Sequence, residues 1–193
     1  MSEARRSITE PQKMERVLDA ARQCLDLDGE FWECGVFMGG SAKELADLCR
    51  PTGRVLRLFD SFKGLPKPSP VDVGKEVIEG WFNNNEVGPT IGYVGYDKAV
   101  WHVGVIPQTF VALEDAVIAF AYLDLDMYQG TLDALKFVWP RLALGGQIVI
   151  DDYGHSEWPG VEIATKEFFY SIRGQAAWRA FIAYPDGQAV VKK

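Results

Sequence analysis

Long apolar runs are missing from this chain: no stretch approaches the ~18 uninterrupted apolar residues of a membrane-spanning helix. The opening residues, MSEARRSITEPQK, also lack the apolar core of a secretory signal. Cysteine is scarce. Cys24, Cys34 and Cys49 are odd in number, form no C-x-x-C pair and lie in apolar or helical contexts, so buried free thiols are expected rather than disulfides or a thiolate metal site. Positive charge is in the minority, 20 basic against 27 acidic residues for a net charge of -7, and no basic stripe is present. That balance excludes nucleic acid and anionic membrane as partners. Internal repeats and low-complexity segments are absent, and a soluble, cytoplasmic protein is expected.

What is present is enough for one compact α/β domain over residues 1–193. An N-terminal helical segment fills residues 1–28, where Met14, Val17, Leu18, Ala21, Cys24 and Leu25 recur at helical spacing from Pro11 onward. FWECGV then reads as a strand with a glycine turn, and GGSAKELADLC as a helix opened near Ser41. RVLRLFD is a second strand, and AVWHVG a third that carries His102, expected to be partly buried. Between them, residues 64–97 lose all periodicity; four prolines fall from Leu65 to Pro89, and the segment reads as an acceptor-side lid with one short helix around Gly74 to Phe82. A short helix near Pro107 is followed by the strand VIAFAYLDLD, the helix YQGTLDALKFVWPRL, a Gly145-Gly146 turn and the strand GQIVIDD. VEIATKEFFYSI is helical, and WRAFIAY and QAVVKK flank Pro185-Asp186-Gly187 as a hairpin. Near-continuous apolar strands alternating with helices predict a mostly parallel sheet covered on both faces.

Ligands of such sheets bind beyond the carboxyl ends of the strands. The expected strand ends carry Glu33-Cys34-Gly35, Asp60, Asp124-Leu125-Asp126 and Asp151-Asp152, which gathers the acids at one edge. In ECGVFMGGS, Phe37 stands where a dinucleotide fingerprint needs its second glycine, which disfavours a pyrophosphate cradle. Glu33 suits instead a ligand bearing an ammonium and a sulfonium. Asp60 is placed to accept hydrogen bonds from a ribose diol. Adjacent strands lie about 4.8 Å apart, so Asp124, Asp126, Asp151 and Asp152 on neighbouring strands would repel one another unless protonated or bridged by a cation. A divalent metal resolves that conflict and can lower the pKa of a hydroxyl brought beside it. His155 follows this rim and is expected to face solvent; Trp81, Phe82, Trp101 and Trp158 are available as acceptor walls without an assigned role.

ECGVFMGGS, FDSFKGLP, LDLDMYQGTLDAL and GGQIVIDDYG resemble, in order and spacing, the macrocin O-methyltransferase family over Glu33 to Gly154. The resemblance implies a Rossmann-like class I methyltransferase fold, with a seven-stranded sheet and an antiparallel C-terminal strand. It also implies an S-adenosylmethionine donor and a small-molecule hydroxyl acceptor, a sugar or other natural product. Glu33, Gly35, Phe37 and Ser41 would bind the methionine part of the donor, and Asp60 and Ser61 its ribose side. Asp124, Asp151 and Asp152 would hold Mg²⁺ or another divalent cation, leaving Asp126 as general base. A homodimer is the family's expectation. The family commonly carries a longer N-terminal region than the segment before Phe31, and residues 66–97 match it poorly. Two other readings stand beside this one: a donor-binding module without catalysis, and a metal-dependent nucleotide-sugar or dinucleotide enzyme.

Overall fold

The computed structural model describes residues 9–74, 77–83, 86–173 and 180–193. Its sheet has seven strands: β1 (Glu30–Cys34), β2 (Leu56–Asp60), β3 (Ala99–Val103), β4 (Ile118–Leu123), β5 (Leu142–Asp151), β6 (Ala180–Tyr184) and β7 (Gln188–Lys192). They run in the order β3-β2-β1-β4-β5-β7-β6. The first five are parallel; β7 enters antiparallel beside β5 and pairs with β6. The expected doubly covered sheet with its C-terminal hairpin is thus the architecture found, although Trp178 and Arg179 of the expected hairpin lie outside the described residues.

Neighbouring residues on β1 serve opposite faces. Phe31 packs with the helices α1 (Pro11–Arg22), α2 (Gly40–Cys49) and α3 (Val87–Val94), whereas Trp32 packs with α4 (Tyr128–Arg141) and α5 (Pro159–Ser171). The central strand β4, IAFAYL, is buried along its whole length, as a strand with helices on both sides requires. Leu45, fully buried on α2, represents this core; truncating such a leucine to alanine costs about 2–5 kcal/mol. All three cysteines are buried and free, and burial pushes their thiol pKa values up. No helix among the described residues is long and apolar enough to cross a membrane.

Two local expectations need correction. The described part of Gly74 to Phe82 forms turns, with Lys75 and Glu76 outside the described residues; the helix of this insertion is α3, which starts further along the chain at Val87. Gly88, Pro89 and Gly92 disguise it. Pro89 falls in the first turn, where its missing N–H costs no intrahelical bond, and Thr90 and Val94 are buried where α3 packs on α2. The second correction concerns Gly145 and Gly146, which lie inside β5 rather than before it. They absorb the register shift between Ile118–Leu142 and Phe120–Gln147 pairing. A Cβ on Gly146 would sit 2.8 Å from the Ala119 carbonyl oxygen.

Candidate active site

The chain leaves β1 for β2 and β3 on one side and returns to β4 on the other, so the ends of β1 and β4 flank the topological switch point. There the Asp124 N–H donates to the Cys34 carbonyl at 2.8 Å. Gly35 follows with φ +90°, and a Cβ on it would fall 1.7 Å from the Asp124 carbonyl oxygen, so only glycine allows this approach. Asp60, from the neighbouring strand end, holds the turn that follows. Its Oδ2 accepts the N–H of Val36 at 2.7 Å and of Phe37 at 2.8 Å, and its Oδ1 accepts that of Phe62 at 2.6 Å. Asp60 lines the cavity as expected, but in this structure its carboxylate is the staple of the glycine turn. Ser61, beside it, accepts the Lys63 N–H at 3.1 Å and also lines the cavity.

Glu33 is fully buried one residue before Cys34 on β1. Ser41 Oγ donates to its Oε1 at 2.5 Å, while Oε2 has no hydrogen-bond partner. Burial, partly offset by the Ser41 bond and reinforced by the charge of Asp60, pushes the Glu33 carboxyl up to about 8. A buried orphan acceptor directly behind Ser41, which lines the cavity, is a fitting counter-group for a ligand ammonium.

Two aspartates of the rim, Asp124 and Asp126, line the same cavity. Asp124, Asp126 and Asp152 each bring one carboxylate oxygen within 4.8 Å of the others. Burial and mutual repulsion raise the pKa of Asp124 and Asp126 well above the usual range, and lift Asp152 to about 6. A divalent cation answers that surplus of negative charge, so the donor set fits one. Asp151, expected as a ligand, lies outside this group of three, and Asp126, expected as the base, lies within it. Asp151 Oδ2 accepts Tyr122 Oη at 2.8 Å, and its Oδ1 meets Lys13 Nζ at 2.8 Å and Gln188 Nε2 at 3.4 Å. Tyr122 also reaches Asp124 Oδ2 at 3.2 Å, and Lys13 reaches Asp152 Oδ1 at 3.4 Å.

The cavity lined by the glycine turn, Asp124 and Asp126 measures about 500 Å³, in the range of small-molecule sites. Phe82 from the insertion closes one wall, 5.8 Å from the Phe37 ring and 6.0 Å from Trp158. Phe37, Phe62, Phe82, Asp126 and Asp152 all hold φ between 50° and 61°, strain of the kind that clusters at functional sites. The other expected aromatics pack behind cavity-lining rings: Trp81, itself exposed, meets Phe82 edge-on at 6.3 Å, and Trp101 faces Phe62 at 6.3 Å. His102 is half-buried, stacked on Phe59 at 4.5 Å, and His155 is exposed, as expected for both.

Lys13, Tyr122 and Gln188 are site residues that reading the sequence missed. Only Lys13 left a signal: Lys13, Val17, Ala20 and Ala21 follow helical spacing and form the buried stripe of α1.

A family model described as macrocin O-methyltransferase (TylF) matches residues 4–175. The 8-demethyl-8-(2,3-dimethoxy-alpha-L-rhamnosyl)-tetracenomycin-C 4'-O-methyltransferase of Streptomyces olivaceus is 28% identical over 90% of this chain and 71% of its own length. Demethyldecarbamoylnovobiocin O-methyltransferase of Streptomyces niveus is 26% identical over 70% of this chain, which spans only 59% of that enzyme. Among solved structures, the calicheamicin methyltransferase CalS11 superposes with a TM-score of 0.77 at 25% identity, over 94% of this chain and 78% of that one. With its glycine turn, strand-end acids and sheet order all in place, the chain belongs to the macrocin O-methyltransferase family.

Proposed function

We propose that this protein transfers the methyl group of S-adenosylmethionine to a hydroxyl of a sugar or other natural-product small molecule, with Mg²⁺ or a related divalent cation at the aspartate rim. The observation that carries this reading is the convergence of Asp124, Asp126 and Asp152 at a cavity that the glycine turn also lines. The relatives' names support the acceptor class: one methylates a rhamnosyl tetracenomycin at its 4' oxygen, another a demethyldecarbamoylnovobiocin.

Glu33 and Ser41 would hold the methionine ammonium, with Gly35 and Phe37 providing the close backbone wall; Asp60 and Ser61 would bound the ribose side. Asp124 and Asp152 would hold the cation, and Asp151 would complete the set. The cation supplies positive charge that lowers the acceptor hydroxyl's pKa. Asp126, its carboxyl pKa raised by burial and by Asp152, is suited to take the hydroxyl proton. The freed oxygen attacks the sulfonium methyl in line, the carbon–sulfur bond breaks, and the donor leaves as its thioether. Alignment of the two bound reactants can supply about 7–11 kcal/mol of such a barrier.

Calorimetric titration of metal-stripped protein with S-adenosylmethionine and S-adenosylhomocysteine, repeated with Mg²⁺, tests the donor site. Micromolar binding is expected, followed by labelled methyl transfer to a panel of glycosylated hydroxyl acceptors. Absence of binding under both conditions would refute the donor assignment.

A further inference from the structure

The rim already contains a cation of the protein's own. Lys13 is 8% exposed, a rarity for lysine, and its ammonium bridges Asp151 Oδ1 at 2.8 Å and Asp152 Oδ1 at 3.4 Å. It is the only basic side chain that forms a salt bridge with these carboxylates among the described residues. Its backbone is not free to retreat. Three residues on, Arg16 grips Asp186 at 2.7 and 3.1 Å and Gln188 at 2.7 Å, and Val17, Ala20 and Ala21 are sealed into the core. The side chain alone must therefore move if the carboxylates are to serve another cation.

We propose that Lys13 is a tethered counter-cation that competes with the divalent ion for Asp151 and Asp152, and so sets the affinity of the rim for metal. This rests on the rim being a metal site, as read above. Asp151 makes the logic concrete. Lys13, Gln188 and the Asp152 N–H occupy its Oδ1 and Tyr122 engages its Oδ2, so an ion that takes Oδ1 does so in direct competition with Lys13. A dication and an ammonium sharing the same carboxylate oxygens repel strongly at such short range. Lys13 thereby keeps the acids paired before the ion arrives, at the expense of the ion's affinity, and makes Lys13 a positioning residue rather than a catalytic one.

The experiment is Mn²⁺ titration, read by calorimetry and by the electron paramagnetic resonance of the free ion, on the intact protein and on Lys13→Met, Lys13→Gln and Lys13→Arg. Asp124→Asn marks which binding belongs to the rim. The uncharged variants should bind Mn²⁺ about tenfold or more tightly than the parent, as loss of one like charge predicts, and Lys13→Arg should stay near the parent. Equal or weaker binding by the uncharged variants, with parent binding intact, overturns the role of Lys13 and leaves the metal site standing. No rim binding in any of them removes the metal site and the competition with it. A readout on the unaltered protein guards against misfolded variants: acylation of Lys13 by an amine-reactive ester, followed by mass spectrometry, should rise when Mn²⁺ is saturating. Unchanged or reduced labelling overturns the proposal.

Discussion

Ser41 Oγ donates to Glu33 Oε1 at 2.5 Å and leaves Glu33 Oε2 buried without a partner. The carboxyl therefore favours its protonated form, and its pKa stands at about 8. In the unfolded chain it would lie near ~4.3. Between those values the native state holds one proton more than the unfolded state, so this group's contribution to stability falls as pH rises through the window and levels off above it. The slope is about 1.4 kcal/mol per pH unit inside the window. Glu33→Gln keeps the shape and removes the titration. Thermal unfolding from pH 5 to 9 should show the donor-free variant gaining on the parent progressively toward pH 8; parallel curves would exclude Glu33 as the titrating group.

The same carboxyl predicts a proton balance for donor binding. An ammonium placed against Glu33 favours its ionised form, so binding S-adenosylmethionine at pH 7 should release close to one proton. Calorimetry in buffers of different ionisation enthalpy measures that number directly. Glu33→Gln should release none through this site and bind the donor about 10- to 100-fold more weakly, the worth of one charge-assisted hydrogen bond. Undiminished affinity in the variant would move the ammonium site elsewhere.

Asp126 and Asp151 can be separated by their metal phenotypes. Asp126→Asn should retain donor and Mn²⁺ binding within a few-fold and lose about 100-fold or more in turnover, as removal of a general base does. Asp151→Asn should weaken Mn²⁺ binding. Loss of metal in Asp126→Asn would instead make Asp126 a ligand, which its position within 4.8 Å of Asp124 and Asp152 allows geometrically.

The parts of this molecule that were readable in the sequence are those governed by local rules. Apolar runs such as IAFAYL end in acids, and a parallel sheet sends every such end to one edge, so Glu33, Asp60 and Asp124 could be gathered without coordinates. Helix α3 was hidden because proline and glycine are read as breakers, while its stability comes from Thr90 and Val94 packing on α2. Asp60 was legible as an acid at a strand end, but not as the acceptor of backbone N–H groups from two different loops. Lys13 and Gln188 join the rim from opposite ends of the chain, and no spacing rule connects residues 175 positions apart.

Asp60 supplies the sharpest contrast between a structural and a ligand-binding role. If it served only the ribose, Asp60→Asn would lower donor affinity and leave the empty protein as stable as before. Its two oxygens instead satisfy the N–H groups of Val36, Phe37 and Phe62. Asparagine offers one acceptor oxygen, and its amide would turn a donor toward at least one of these N–H groups. The expected cost is about 1–3 kcal/mol of stability, the penalty for a buried donor left unsatisfied. Denaturant unfolding without donor should register that loss, and hydrogen exchange should quicken at Val36, Phe37 and Phe62 together. Donor binding should weaken in parallel because the loosened turn no longer presents its wall to the ligand. Weakened binding with unchanged stability and exchange would return Asp60 to a purely ribose-facing role.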